Sequence, residues 1–462
     1  MAGRSSGSWP QAMKRETVIL LTYYYRQEDR DHGILRHVLG AFCPTYLPFD
    51  LYLYEPLKRI FGRVIVYDFL RRRADLGLRA MNEEILAVVR EERPKYVLWT
   101  SFYDDIRKTT LEAIRKEGAT VVGWFFDDEW RFSSYSKYWI PYLDYCVTNA
   151  ISVAPRYRQL GARVIQTVPN SGVAVDVDWA QLEERYDVAF VGSIRTADRR
   201  WYLDEFRSNS VPVNVFGEGS GRYVSFQQML DIYKTSRINL NFSKTGAHPW
   251  VRQLKGRVFQ VCLAGGFLLT EYAPGIENYF ELGKQIICFD SPGEMVDKAR
   301  YYLNHEAERR AIARAGWARA KGEYSSGRMV ARVFEEIEDD LTTGVRDGNP
   351  AAGLKMTIKA RRVLATYHQE WSRAQIQEND MRGLWQDDLA LALLYIPWNT
   401  LALFYRLLAL LPWSARHAVF NRLLRFENRR FGVSAQHWII LRSYARRMIE
   451  SLLRKPRRGY RA

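Results

Sequence analysis

Cysteine and histidine are both scarce in this chain. Four cysteines (Cys43, Cys146, Cys262, Cys288) lie far apart in 462 residues, with no C-x-x-C pair. That excludes a disulfide framework and a cysteine zinc site, and it fits reduced thiols in a cytosol. Seven histidines occur, and His32, His37 and His248 stand at no ligand spacing to one another, so no metal is expected. The stretch Met1–Glu16 has no apolar run, so no secretory leader is expected. No dinucleotide fingerprint is present either, because Gly217-Glu-Gly-Ser-Gly221 lacks the G-x-G-x-x-G spacing. Wholesale disorder is excluded by a composition that is 47% hydrophobic and 26% charged.

What the chain has in excess is positive charge, unevenly placed. Of a net +16, residues 345–462 hold 21 Lys and Arg against 8 Asp and Glu, an excess of +13. The preceding 344 residues therefore carry only +3. A nearly neutral body with a cationic end directs the charge to a partner of that end.

Short apolar runs alternate with helical stretches through most of the body, as in βαβ units around a parallel sheet. The spacing predicts strands over Val18–Thr22, Val64–Tyr67, Tyr96–Thr100, Val121–Trp124 and Tyr145–Thr148, with helices over Leu76–Glu92 and Ile106–Glu117. A second series follows, with strands Tyr186–Val191, Val213–Phe216, Ile238–Phe242 and Phe267–Thr270. Capping boxes at Ser225 and Ser291 open two of its helices; others are expected around Gln253–Leu263 and Glu306–Ala315. The reading is α/β: a segment 1–14, one Rossmann-like domain over 15–183, a second over 184–345, and a helical extension over 346–462. Two such domains set a cleft between the carboxyl ends of their strands.

The run Arg257–Glu271 (RVFQVCLAGGFLLTE), with Tyr279-Phe280, Asp290-Ser291, Tyr324 and the earlier segments Trp124–Asp128, Asp187–Ser193 and Val215–Glu218, resembles the spore maturation protein (CgeB-like) glycosyltransferases. These are relatives of the retaining group 1 glycosyltransferases. The resemblance covers about 95–335 and implies a GT-B fold and transfer of a sugar from a nucleoside diphosphate sugar, without metal or other cofactor. It implies Arg257 and Lys255 on the diphosphate and Gln260 near the ribose. The family carries glutamates where this chain has Arg252 and Gln260, so a silent sugar-nucleotide or glycan-binding subunit and a GT-B-type epimerase are the alternatives.

The residues themselves support a phosphate site. Arg195, Lys244, Arg252, Lys255 and Arg257 lie in or beside strand-to-helix loops, where cations and backbone N–H groups meet phosphates. Gly192, Ser193, Gly217, Gly219, Gly265, Gly266 and Thr270 complete the donor-site set, the glycines permitting close backbone approach. Taken singly, each of these residues reads better as a solvated cation or an ordinary turn glycine; it is the group that favours a donor site. Asp127 and Asp128, followed by Glu129, are candidate acceptor-activating carboxylates, or else a helix N-cap and its acidic first turn.

Leu389–Leu411 is almost unbroken apolar sequence, punctuated by Trp385, Trp398 and Trp413 and followed by Arg416, Arg422, Arg425, Arg429 and Arg430. Pro397 and Arg406 disfavour a simple span; two helices lying in the interface fit better, with a span or burial in protein as alternatives. The expected partners are thus a nucleotide sugar, a glycan or lipid-linked acceptor, and a membrane surface through residues 385–462, with no nucleic acid. The expected location is peripheral, on the cytoplasmic face of the cell membrane.

Overall fold

The computed structural model describes residues 13–23, 33–35, 38, 50–101, 103–169, 172–195, 197–217, 219–245, 250–343, 354–377, 385–397, 399 and 403. The first domain is built on six parallel strands: β1 (Thr17–Thr22), β2 (Arg63–Asp68), β3 (Tyr96–Ser101), β4 (Thr120–Phe125), β5 (Tyr145–Thr148) and β6 (Val164–Gln166). Their order is β2-β1-β3-β4-β5-β6, with Val18 opposite both Val64 and Tyr96. The inner strands are buried on both faces, which is why their sequences read as continuous apolar runs rather than alternating ones. Helices α1 (Glu55–Ile60), α2 (Phe69–Leu76), α3 (Leu78–Glu92), α4 (Lys108–Lys116), α5 (Asp128–Arg131) and α6 (Ala154–Gln159) cover the sheet. Gly77, at φ 85°, separates α2 from α3, so the helix expected from Leu76 starts after it.

The second domain has β7 (Tyr186–Val191), β8 (Asn214–Phe216), β9 (Ser236–Asn241), β10 (Leu268–Glu271) and β11 (Ile287–Phe289), all parallel in the order β11-β10-β9-β7-β8. Around them lie α7 (Ala197–Ser208), α8 (Phe226–Thr235), α9 (Gly256–Leu263), α10 (Pro292–Asn304) and α11 (Glu306–Glu323). Both capping predictions hold: Ser225 and Gln228 exchange bonds at the start of α8, and Ser291 accepts from the Glu294 amide at the start of α10. Glu306 and Arg310 pair at 3.0 Å. Two parallel α/β domains, each with strands ending toward the other, are the expected GT-B class.

The C-terminal part departs from expectation. Helix α12 (Ser326–Thr343) runs back to the first domain, where Val330, Val333, Phe334 and Ile337 join its core. Phe334 meets Phe61 and Tyr96 edge-on, with centroids 4.8 and 5.1 Å away. Helices α13 (Ile358–Gln377) and α14 (Trp385–Tyr395) form a hairpin on the same domain, contributing Leu364, Tyr367, Trp371, Ala374 and Leu391 to that core. The apolar run therefore begins by burying Leu389, Leu391 and Ala392 in protein, not at a membrane surface. Trp398, Trp413 and the arginines from Arg406 on lie outside the described residues. Among the described residues no helix is long and apolar enough to cross a membrane.

Candidate active site

The second sheet changes winding direction between β7 and β9, the place where open α/β sheets take ligands beyond their strand ends. Three cations gather there. Arg257, in the first turn of α9, donates from Nη1 to Asn241 Oδ1 at the end of β9 (2.9 Å) and lies over the Phe190 ring of β7 at 4.9 Å. A Cβ on Gly192, just after β7, would stand 2.5 Å from Arg257 Nη2, so only glycine leaves room for this guanidinium. Arg199, on α7, donates from Nη1 to the Ser193 carbonyl at 2.7 Å. Lys255, at the N-cap of α9, donates to Gln253 Oε1, and no side chain caps the helix. Gly217, at φ 105°, stands where its Cβ would lie 2.9 Å from the Gly192 carbonyl oxygen, bringing the β7 and β8 loops together.

Among the described residues none of these three cations forms an ion pair. Burial, then the neighbouring Arg257, presses the Arg199 pKa down to about 10. Burial likewise presses Lys255 down to about 8, against the pull of Asp127 and with a further push from Arg199. The Nε atoms of Arg199 and Arg257 are buried with no hydrogen-bond partner. Like charges held together in a half-buried site, beside uncapped helix amides, are relieved by an anion. Lys244 and Arg252 are different: both approach the buried Glu271 (3.7 and 3.9 Å), and Arg252 pairs with Asp290 at 2.8 Å.

Behind the cations runs a supporting chain. Thr270, fully buried, accepts from Asn241 Nδ2 at 2.9 Å, which turns Asn241 Oδ1 toward Arg257. Glu271 accepts from the Tyr202 hydroxyl and the Ser243 amide, each at 2.9 Å. Thr270 therefore holds Arg257 through another residue.

Across the cleft, two residues beyond the end of β4, Asp127 adopts the left-handed region (φ 57°) and accepts from Gln253 Nε2 at 2.5 Å. Its neighbour Asp128 turns away. Fully buried, Asp128 accepts from Ser136, Thr148 and Tyr157, the last two at 2.7 Å, so its oxygens are spent inside the first domain. Burial also pushes its pKa up. The expectation of an acceptor-activating Asp128 is corrected to a structural one. Glu129, the third carboxylate of the run, is held differently: burial, with a further push from Asp127, raises it to about 7, and its Oε2 is buried without a hydrogen-bond partner among the described residues. The Asp-Asp-Glu run announced a carboxylate here, but only the direction of each side chain separates the three.

Gln260, one turn beyond Arg257 on α9, is buried and donates to the Tyr52 hydroxyl of the first domain at 2.7 Å. Gly219 (φ 88°) packs beside Ile194 and the exposed Arg195. Gly265 and Gly266 lie at the far end of α9, about 12 Å from its N-terminus at 1.5 Å per residue. Cβ atoms there would strike Val177 at 2.6 Å and the Tyr233 carbonyl oxygen at 2.5 Å. Those two glycines serve packing, which corrects their expected place on the donor. Among the described residues no group of three His, Cys, Asp or Glu side chains is placed to hold a metal; His32, His37 and His248 lie outside them.

Residues 195–335, which carry Arg199, Lys255, Arg257 and Glu271, match the model of a family described as glycosyl transferase-like. No curated protein matches the chain. Among solved structures, Anabaena HepE in complex with UDP is similar at 10% identity, over 70% of this chain and 100% of that one, with a TM-score of 0.43. An α1,3-fucosyltransferase is similar at 11% identity over 75% and 96%, with a TM-score of 0.44. Sucrose-phosphate synthase from Thermosynechococcus elongatus is similar at 9% identity over 71% and 100%, also with a TM-score of 0.44. The stretch bearing the three cations is thus the stretch similar to the glycosyl transferase-like family.

Proposed function

We propose that this protein is a glycosyltransferase that moves a sugar from a nucleoside diphosphate sugar to a glycan or lipid-linked acceptor, without a metal, at the cytoplasmic face of the membrane. The observation that carries the reading is the cation group Arg199, Lys255 and Arg257 at the switch point of the second sheet, which forms no ion pair among the described residues. A leaving diphosphate develops negative charge as the glycosidic bond breaks, and fixed cations with helix amides stabilise that charge without reorganising. Family similarity over 195–335 supports the same reaction class. Glu129, near neutrality and facing Lys255 across the cleft, suits an acceptor hydroxyl that must lose its proton. The membrane face and acceptor class rest on the arginine-rich end of the sequence.

Thermal shift with UDP, GDP and their sugars tests the donor site, since a ligand that binds only the folded state raises the midpoint by mass action. Release of nucleoside diphosphate from a stabilising nucleotide sugar is the expected result. Binding without release or transfer points to a silent subunit; interconversion of the sugar without acceptor points to an epimerase. No shift with any nucleotide defeats the reading.

A further inference from the structure

We infer that Gln253 couples the donor cations to the carboxylates of the first domain, and is a positioning residue for transfer. The inference rests on the glycosyltransferase reading above. Gln253 is buried, and its backbone amide donates to the Ser243 carbonyl at 3.0 Å, which fixes it to the loop that leaves β9. Its side chain then spans the cleft. Oε1 accepts from Lys255 Nζ, and Nε2 donates to Asp127 Oδ1 at 2.5 Å.

The chemistry of the bridge admits few replacements. An amide has one accepting and one donating end, and an ammonium on one side with a carboxylate on the other fixes which end faces which. Glutamate here would repel Asp127, and lysine would repel Lys255. The carboxylate end of the bridge lies at a backbone position that costs a non-glycine residue free energy, two residues before Glu129. Gln260–Tyr52 (2.7 Å) and Gln166–Tyr279 (2.8 Å) also join the domains, but the bond from Gln253 is the one that continues to Lys255.

This division of labour makes a specific demand. Arg199, Lys255 and Arg257 all belong to the second domain, so a nucleoside diphosphate meets its cations whether or not Gln253 bridges. Transfer needs groups from both domains in register, and a misplacement of about 1 Å costs roughly a hundredfold in rate.

The test is Gln253→Met, which keeps the length of the side chain and removes both bonds. Binding of UDP or GDP, whichever the wild-type protein takes, should stay within about threefold, while saturated release of nucleoside diphosphate from its sugar should fall by about tenfold or more. Amide hydrogen exchange over residues 127–132 should quicken, with the midpoint of thermal unfolding little changed. Gln253→Glu should lose turnover similarly but also weaken nucleotide binding, because the new carboxylate competes for Lys255. Parallel loss of affinity and turnover in Gln253→Met overturns the inference, as does unchanged turnover. Unchanged exchange over 127–132 overturns it even if the wild-type protein binds no nucleotide, a result that would separately defeat the glycosyltransferase reading.

Discussion

Lys255 makes the sharpest claim about a single residue. Its pKa is pressed to about 8, so at neutral pH most of its charge is present, and it is lost as pH rises. A diphosphate draws that proton back, so binding takes up protons around pH 8. Calorimetry of UDP or GDP binding should therefore show affinity falling as pH rises through about 8, and Lys255→Met should flatten the profile. Arg257→Ala removes a charge-assisted contact worth about 1.5–3 kcal/mol, roughly ten- to over a hundredfold in affinity. Glu129 works in the opposite sense. Its folded pKa of about 7 lies above the ordinary carboxylate value, so the folded state holds a proton that the unfolded chain has lost. That contribution to stability is present in acid and lost as pH rises through about 7. Glu129→Gln should abolish that part of the slope and remove the acidic limb of the rate profile. Arg257 and Lys255 were singled out by the family resemblance, since a lone loop cation is as ordinary on a solvated surface; what the fold adds is that they lie together, with Arg199, at the switch point of the second sheet. The role of Asp128 was not legible, since an acceptor base and a buried hydrogen-bond hub call for the same residue type. The need for glycine at 265 and 266 was legible, but its cause is the packing of Val177 and the Tyr233 carbonyl.

At the scale of elements, the hairpin α13–α14 is held by a buried charged cluster. Arg73 bonds Asp105 and Asp388, and it lies over the Trp371 ring at 4.2 Å. His368 joins Asp104 (2.9 Å) to Asp388 (2.7 Å), while Tyr367 and Tyr395 donate to Asp105 (2.6 Å) and Asp104 (2.5 Å). Burial presses the His368 pKa down, but Asp104 and Asp388 outweigh it and the net direction is up. Burial presses Asp104 up, and His368 and Tyr395 more than reverse that, to about 2. A histidine with a raised folded pKa gives its full stabilisation below the unfolded value of about 6.5 and loses it as pH rises through the folded value. Removing one partner of such a cluster strands buried charge, so His368→Leu should cost about 3–5 kcal/mol. Urea denaturation should show that gap largest at pH 6 and narrower in alkali. The loop that supplies Asp104 also bears Tyr103, which stacks on Tyr367 at 4.0 Å and accepts through its carbonyl from Tyr135. The hairpin thereby steadies the first-domain side of the cleft. None of this was legible from local patterns, because Asp104 and His368 meet across 264 positions of chain. Strand positions and helix caps, by contrast, are written in local sequence.

For the whole molecule, the boundary between body and tail moves, and the membrane experiment moves with it. A chain ending at residue 345 has both Rossmann-like domains but lacks the hairpin, so Arg73 would lose Asp388, Asp104 would lose His368 and Tyr395, Asp105 would keep Arg73 but lose Tyr367, and the Trp371 site would be empty. That fragment should express poorly or unfold well below the full chain. A chain ending at residue 403 keeps every described element and should fold with the thermal midpoint of the full protein. It drops most of the positive excess, since the arginines from Arg406 onward are gone. Each basic residue at an anionic surface contributes about 1 kcal/mol, falling off within a Debye length of about 8 Å at physiological salt. The full chain should therefore pellet with phosphatidylserine vesicles at low salt and bind neutral vesicles less well, while the chain ending at 403 should remain in the supernatant with both. High salt should release the full chain if arginines hold it to the headgroups. Retention in high salt, with release only by detergent, would assign the attachment to the apolar residues before Leu411. Equal partitioning of the two chains away from anionic vesicles would defeat the membrane proposal and leave the cationic end to a different acidic partner.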